Sequence, residues 1–393
     1  MKKIVSGIAV LMLLVSCSKE EVIDVNHDGD EITFDVVTNS ATRAADVYCN
    51  SNMPKEFYVS AISDGMSYID EDHIANENGS WVNKSGVRYW PATPVDFYAY
   101  YNDNGSYQWS VAEGKAVAKF VNFTVNGSVA AQQDLIYAVK TNQSKPGEDA
   151  ANTPVALNFR HALSQIVFQA KNTNANLYVE ISGVDVVNVG DTNTFTFPSV
   201  NTDNNIVDHE GATTDYPAGA DGWGTWAELT SGTASYAVAF DAVAVKGDNT
   251  VVALTTTDDS EKPGEYNANT MLLLPQTTTA WDAESKLGET SGSYFLVNCI
   301  IKNVKDGSGV AGDEDVYLWG AANAPKKLAI PVTFNWEQGK KYIYTLVFGE
   351  GNGGYDPEPD DPTPDPVLVP ITFTVSVDDF VTPGATEVES DKL

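Results

Sequence analysis

Ile32-Thr33-Phe34-Asp35-Val36-Val37 near the start of the chain and Ile371-Thr372-Phe373-Thr374-Val375-Ser376-Val377 near its end write almost the same β-strand twice. In both, apolar and polar residues alternate, so Ile, Phe and Val fall on one face of an extended segment. Between them the same vocabulary recurs. The runs at 57–62, 81–82, 87–91, 95–101, 134–138 and 157–168 read as strands of a first unit. Those at 177–189, 194–197, 236–240, 250–255, 271–274, 294–302, 327–334 and 342–348 read as strands of a second. Each run is short and bounded by Asn, Gly or Pro. Thr, Val, Tyr and Asn are frequent, which suits strands and turns. No long stretch places an apolar residue at every third or fourth position. The sequence therefore predicts an all-β chain of sandwich type, not a parallel sheet.

At 393 residues there is room for two domains with separate cores. With 23 Lys+Arg against 54 Asp+Glu, the net charge is −31. That field repels nucleic acid and anionic membrane, and nucleic acid is not expected as a partner. The first residues are a targeting segment, to be left out of the fold. Lys2 and Lys3 precede a short apolar stretch, and Leu14-Val15-Ser16-Cys17 resembles a bacterial lipobox. Such a site has its cysteine lipidated and the preceding peptide removed, so Cys17 is the expected lipidation residue and the bilayer an early partner. A plain secretory signal is the alternative. Of the other two cysteines, Cys49 and Cys299, separate burial is expected over a disulfide, since they lie far apart in sequence.

The expected divisions are 1–17, signal peptide and lipobox; 18–43, tether and removable leader strand; 44–172 and 173–350, two β-sandwiches; 351–366, a Pro/Asp linker; and 367–393, a terminal strand. The linker alternates proline with acid, which packs no core and favours extended polyproline geometry. Its stretch Asp356-Pro357-Glu358-Pro359-Asp360-Asp361-Pro362-Thr363-Pro364-Asp365-Pro366 spans roughly 30 Å at about 3.1 Å per residue, enough to carry the terminal strand off its own domain. Arg43, one of three arginines in the chain, follows the first copy of the strand closely. One removable copy and one tethered copy point to subunits that polymerise by lending each other a strand. The alternative is that both copies are ordinary strands of their own domains and alike by chance.

These segments together resemble the fimbrillin family, the subunits of Bacteroidales type V pili. The resemblance is carried by the Cys17 lipobox, Thr42-Arg43-Ala44, Tyr89-Trp90-Pro91 and Asp96-Phe97-Tyr98-Ala99-Tyr100. It continues through Gln133-Asp134-Leu135-Ile136-Tyr137-Ala138, Phe159-Arg160-His161-Ala162-Leu163-Ser164 and Trp336-Glu337-Gln338-Gly339-Lys340-Lys341-Tyr342-Ile343-Tyr344. The terminal Ile371-Thr372-Phe373 block and Val377-Asp378-Asp379-Phe380 complete it, with Phe380 where many relatives carry Trp. Ser18-Lys19-Glu20-Glu21 also resembles the tag of surface-exported lipoproteins in that order.

The resemblance implies two transthyretin-like β-sandwich domains in tandem, an N-terminal lipoprotein leader and a C-terminal donor-strand extension. It implies an outer-membrane lipoprotein precursor, a trypsin-like cut between Arg43 and Ala44, and a final place in a cell-surface fimbria. The partners are other pilin subunits, and a host, bacterial or glycan surface as adhesion ligand. Ile32, Phe34 and Val36 would be the displaced leader face, and Ile371, Phe373, Val375 and Val377 the donor face. Two other readings stand beside this one: a surface glycan-binding lipoprotein, and an uncut anchor subunit of a pilus.

No enzyme motif and no cofactor site emerges. His27, His73, His161 and His209 lack a second histidine at metal-ligand spacing, and no metal site is expected. A D-x-N-x-D-G run from Asp24 lacks the closing Glu and flanking helices of a calcium loop. Acid pairs such as Asp70/Asp72 and Asp258/Asp259 read as solvated turns, with His73 in an acidic turn. Trp81 and Trp90 are expected in the core, whereas Trp223 and Trp226, in a Gly-rich insertion, are the candidates for an exposed contact.

Overall fold

The computed structural model describes residues 30–36, 55–101, 106–147, 153–202, 222–229, 232–255, 270–282, 292–312, 315–351, 353–357 and 371–379. Strands are numbered in chain order. One six-stranded antiparallel sheet runs β10 (Arg160–His161), β8 (Ile136–Gln143), β5 (Val95–Tyr101), β2 (Glu56–Ser63), β3 (Met66–Glu77), β4 (Ser80–Asn83). Alternation along its central strand β5 gives it two apolar faces, because successive side chains leave a strand on opposite sides. Phe97 and Ala99 point into a cluster with Ile32, Phe34, Phe57, Trp90 and Leu157. Tyr98 and Tyr100 point the other way, into a larger cluster with Phe120, Phe123, Phe195 and Phe197.

The first face is covered by a two-stranded pair, β1 (Phe34–Val36) with β9 (Val155–Leu157). On the second face the larger cluster draws in a four-stranded sheet, β14 (Thr225–Trp226), β13 (Thr192–Thr196), β7 (Lys115–Thr124), β6 (Ser106–Ala112). Tyr100 meets Phe120 edge-on at 5.0 Å, and Tyr137 meets Phe195 at 4.8 Å. A 3-10 turn, Val129–Ala131, precedes β8.

Two further sheets share that larger cluster. The first is ordered β16 (Val252–Ala253), β11 (Ser164–Asn172), β21 (Lys340–Phe348), β22 (Ile371–Asp379), with β17 (Met271–Leu273) also on β11. The second is ordered β15 (Ala234–Val245), β12 (Leu177–Val189), β18 (Tyr294–Asn303), β19 (Val316–Trp319), with β20 (Lys326–Pro331) also on β18. Phe168 of β11 meets Phe295 of β18 edge-on at 5.3 Å, which joins the two layers. The chain is all-β, as its patterning predicts.

Sequence order and sheet membership interleave near the expected boundary at 172/173. β11, on the N-terminal side, pairs in parallel with β21, and β13, on the C-terminal side, pairs with β7. Two long strands missing from the sequence reading are β3 and β7. The Asp70/Asp72 pair and His73, read as acidic turns, lie within β3, and Asp72 is only 2% exposed. Its charge is acceptable there because a guanidinium answers it, as described next.

Candidate functional site: two seats for one strand pattern

Residues 30–36, expected from the sequence to be the leader strand, are held from both sides. The Ile32 amide donates to Arg88 O at 2.7 Å, and the Trp90 amide donates to Asp30 O at 3.1 Å. On the other side the Val155 amide donates to Thr33 O at 2.8 Å. β1 then runs parallel to β9 with Phe34 opposite Val155, Asp35 opposite Ala156 and Val36 opposite Leu157. Ile32 is 4% and Phe34 5% exposed, while Val36 is half-buried against the same cluster. The Phe34 ring stands edge-on to Phe57 at 6.0 Å and to Phe97 at 5.5 Å, an arrangement aromatic quadrupoles favour. Lys145 forms an ion pair with Asp30 at the start of the segment.

One wall of this seat, residues 84–94, belongs to no multi-residue strand, so side chains must fix it. Arg88 grips Asp72 with two bonds, Nε at 2.7 Å and Nη2 at 2.8 Å. Asn83 Nδ2 adds a third bond to the same carboxylate at 2.8 Å. The Tyr68 hydroxyl donates to the Tyr89 carbonyl, and buried Trp90 stands edge-on to Phe97 at 6.0 Å. A fork of this kind is geometrically selective as well as strong. Its hydrogen bond to Asp72 raises the guanidinium further above its ordinary range, against the smaller effect of burial. Arg88 and Asp72 escaped the sequence reading as site residues. The scarcity of arginine was the available signal.

The terminal strand sits elsewhere. β22 lies along β21 of its own subunit, antiparallel from Phe348 opposite Ile371 to Lys340 opposite Asp379. It is the outermost strand of its sheet. Ile371 is 2% exposed, and Phe373 packs at 5.9 Å from Phe295 and 6.1 Å from Tyr344. Val375 and Val377, however, are 40% and 52% exposed. Only half of the apolar face is used. Cys17, Arg43, Ala44 and Cys49 lie outside the described residues.

The two candidate contact tryptophans are both half-buried. Trp226 packs against Phe123 and Phe195, and its indole N–H donates to Ala162 O at 2.7 Å. Arg160 lies 4.4 Å over the ring of Trp223. Trp90 is buried, and Trp81 is partly buried beside Phe57. Cys299 is a buried free thiol, pushed up to about 12 by burial. The 133–138 and 159–164 runs meet through an ion pair between His161 and Asp134. Burial pushes the Asp134 carboxyl above the ordinary carboxylate range, against the pull of His161.

Residues 27–356 match the model of a family described as fimbrillin-like, and the chain belongs to that family. It is accordingly a structural protein and not an enzyme. No curated protein matches the chain. Among solved structures it is similar to a fimbrial protein from Bacteroides vulgatus ATCC 8482, with a TM-score of 0.53 and 13% identity over 89% of this chain and 99% of that one. A fimbrilin from Porphyromonas gingivalis W83 aligns with a TM-score of 0.42 and 10% identity over 93% of this chain and 100% of that one.

Proposed function

We propose that this chain is a fimbrial subunit exported as a lipoprotein on Cys17, cut after Arg43, and polymerised when the terminal strand of one copy fills the seat left by the leader strand of another. The observation that carries this reading is the pairing of a deep seat with a shallow one. Superimposing the two patterns puts Ile371 at Ile32, Phe373 at Phe34 and Val375 at Val36. On its own subunit the terminal strand leaves Val375 and Val377 in water. In the leader seat the position of Phe34 is enclosed by Phe57 and Phe97.

Removing the leader exposes an apolar trough with unpaired backbone groups at Arg88, Trp90 and Val155, which is a template for an incoming strand. Burying a Val side chain fully contributes roughly 1.5–3 kcal/mol, and transfer carries Val375 from water to the half-buried position of Val36, which gains part of that amount. The nine-pair ladder to β21 must open first, and the shorter pairing beside β9 and Arg88 offsets part of that cost. The alternation also fixes register, since a slip by one residue would turn Thr372 and Thr374 inward. Before cleavage the leader blocks the seat, which keeps precursors apart.

The test is Arg43→Ala in the full chain. It should leave lipidated monomers on the membrane and no polymer, by fractionation and non-denaturing gels. Abundant polymer from this variant would remove the cleavage step from the account, and the N-terminal sequence of surface-purified protein would locate the cut directly.

A further inference from the structure

The segment after β21, where the expected linker begins, passes the start of β22 at Gly351, where a Cβ would come within 2.7 Å of Ile371 O. By Tyr355 it has reached the opposite sheet and is fastened there. Tyr355 and Ala329 exchange both backbone hydrogen bonds at 2.9 Å, which adds one residue to the outer edge of β20. The Tyr355 ring stands edge-on to Trp281 at 5.6 Å, against a small core of its own made by Val187, Trp281, Tyr294 and Ala329. Asp356 forms an ion pair with Lys326, whose ammonium lies 4.3 Å over the Trp319 ring. Gly354 permits the close approach, since a Cβ there would come within 2.7 Å of Leu328 Cγ. The next residue that faces β20 in this register is Pro357, which has no N–H to donate, so the ladder stops.

We propose that Tyr355 and Asp356 anchor the root of the tether: when the terminal strand is exchanged, the chain pivots at Pro357 and residues 349–356 stay on their own subunit. This rests on the strand-exchange reading given above. Neither the bond to Ala329 nor the ring contact with Trp281 involves β22, so lifting that strand leaves both intact. The anchor sets the reach. A chain as long as 357–370 reaches roughly 40–45 Å when extended at about 3.1 Å per residue. Freeing 350–356 as well would add about 20 Å by the same measure. A short tether restricts where a neighbour can sit, and it raises the effective concentration of the strand near a correctly placed seat. Tyr355 is thus a positioning residue for subunit spacing.

The experiment compares fibres of the full chain carrying Tyr355→Ala or Tyr355→Phe with unaltered fibres, by electron microscopy of subunit spacing and by hydrogen exchange. Tyr355→Phe keeps the ring and should reproduce the unaltered spacing. Tyr355→Ala should broaden the distribution of spacings at least twofold, an effect that lost stability alone does not produce. In unaltered protein the Tyr355 and Ala329 amides should be equally protected in monomer and fibre. Should Tyr355→Ala fail to fold, Asp356→Asn loosens the same root, and the exchange measurement needs no variant. Exchanged tails combined with lost Tyr355 protection, or with unchanged spacing in Tyr355→Ala, would overturn the anchor alone. Tails that stay on their own β21 in the fibre would overturn the exchange reading and the anchor together.

Discussion

The leader strand and the terminal strand share an Ile-x-Phe-x-Val pattern and are held by opposite means. The leader has few ladder bonds, but its Ile32 and Phe34 side chains are enclosed and it is gripped on both edges. The terminal strand has a ladder nine residue pairs long, yet it lies at the rim of its sheet with half of its apolar face in water. Backbone pairing exchanges protein–water bonds for protein–protein bonds and contributes about 0.5–1.5 kcal/mol per bond, whereas enclosing an aromatic or aliphatic side chain contributes about 1.5–3 kcal/mol. Residue for residue, the terminal strand is therefore the looser attachment. On the proposed exchange, a strand so attached is the one that leaves, and the seat around Phe34 is the one that receives it.

The two seats should differ most at their phenylalanines. Phe34→Ala should destabilise the precursor by about 3–5 kcal/mol, because it empties the space between Phe57 and Phe97. Phe373→Ala, at a half-buried site, should cost about 1–2 kcal/mol. Denaturant unfolding of the full chain measures both, and equal losses would mean the seats are equivalent.

A smaller effect should sharpen the account of the wall. Asp72→Ala leaves Arg88 without its partner and should cost about 2–3 kcal/mol, below the range for fully buried pairs because the guanidinium is partly exposed. Hydrogen exchange should show the Ile32 and Trp90 amides losing protection before those of β21. Uniform loss across the molecule would make the ion pair a general stabiliser and not a feature of the seat.

Smallest of all, Val375→Thr with Val377→Thr should change precursor stability by less than about 0.5 kcal/mol, since both side chains already face water. The same pair should markedly weaken polymer against dissociation in denaturant. Polymer of unchanged resistance would show that these two valines gain no cover on assembly.

Much of this was legible in the residues. Period-two alternation and Asn/Gly/Pro punctuation specified an all-β chain, and β12 runs from Leu177 to Val189 as its pattern predicts. β3 was not legible, because Asp70, Glu71, Asp72 and His73 interrupt its apolar alternation and the buried carboxylate needs a partner far along the chain at Arg88. The interleaving of β11 and β13 between sheets was hidden for a related reason. Pairing between β11 and β21 joins residues more than 170 positions apart, and local pattern carries no information about such contacts. The tether root was concealed by composition. A lone Tyr355 among glycines, aspartate and proline reads as linker, and only the opposite sheet reveals what it grips.

The most direct test is a reconstruction of the assembled fibre at a resolution that traces the strand beside β9. The account predicts residues 371–377 of a neighbouring subunit there, parallel to β9, with Phe373 between Phe57 and Phe97 and Val375 opposite Leu157. A seat still filled by residues 32–36 of the same chain, with β22 lying on its own β21, would contradict it.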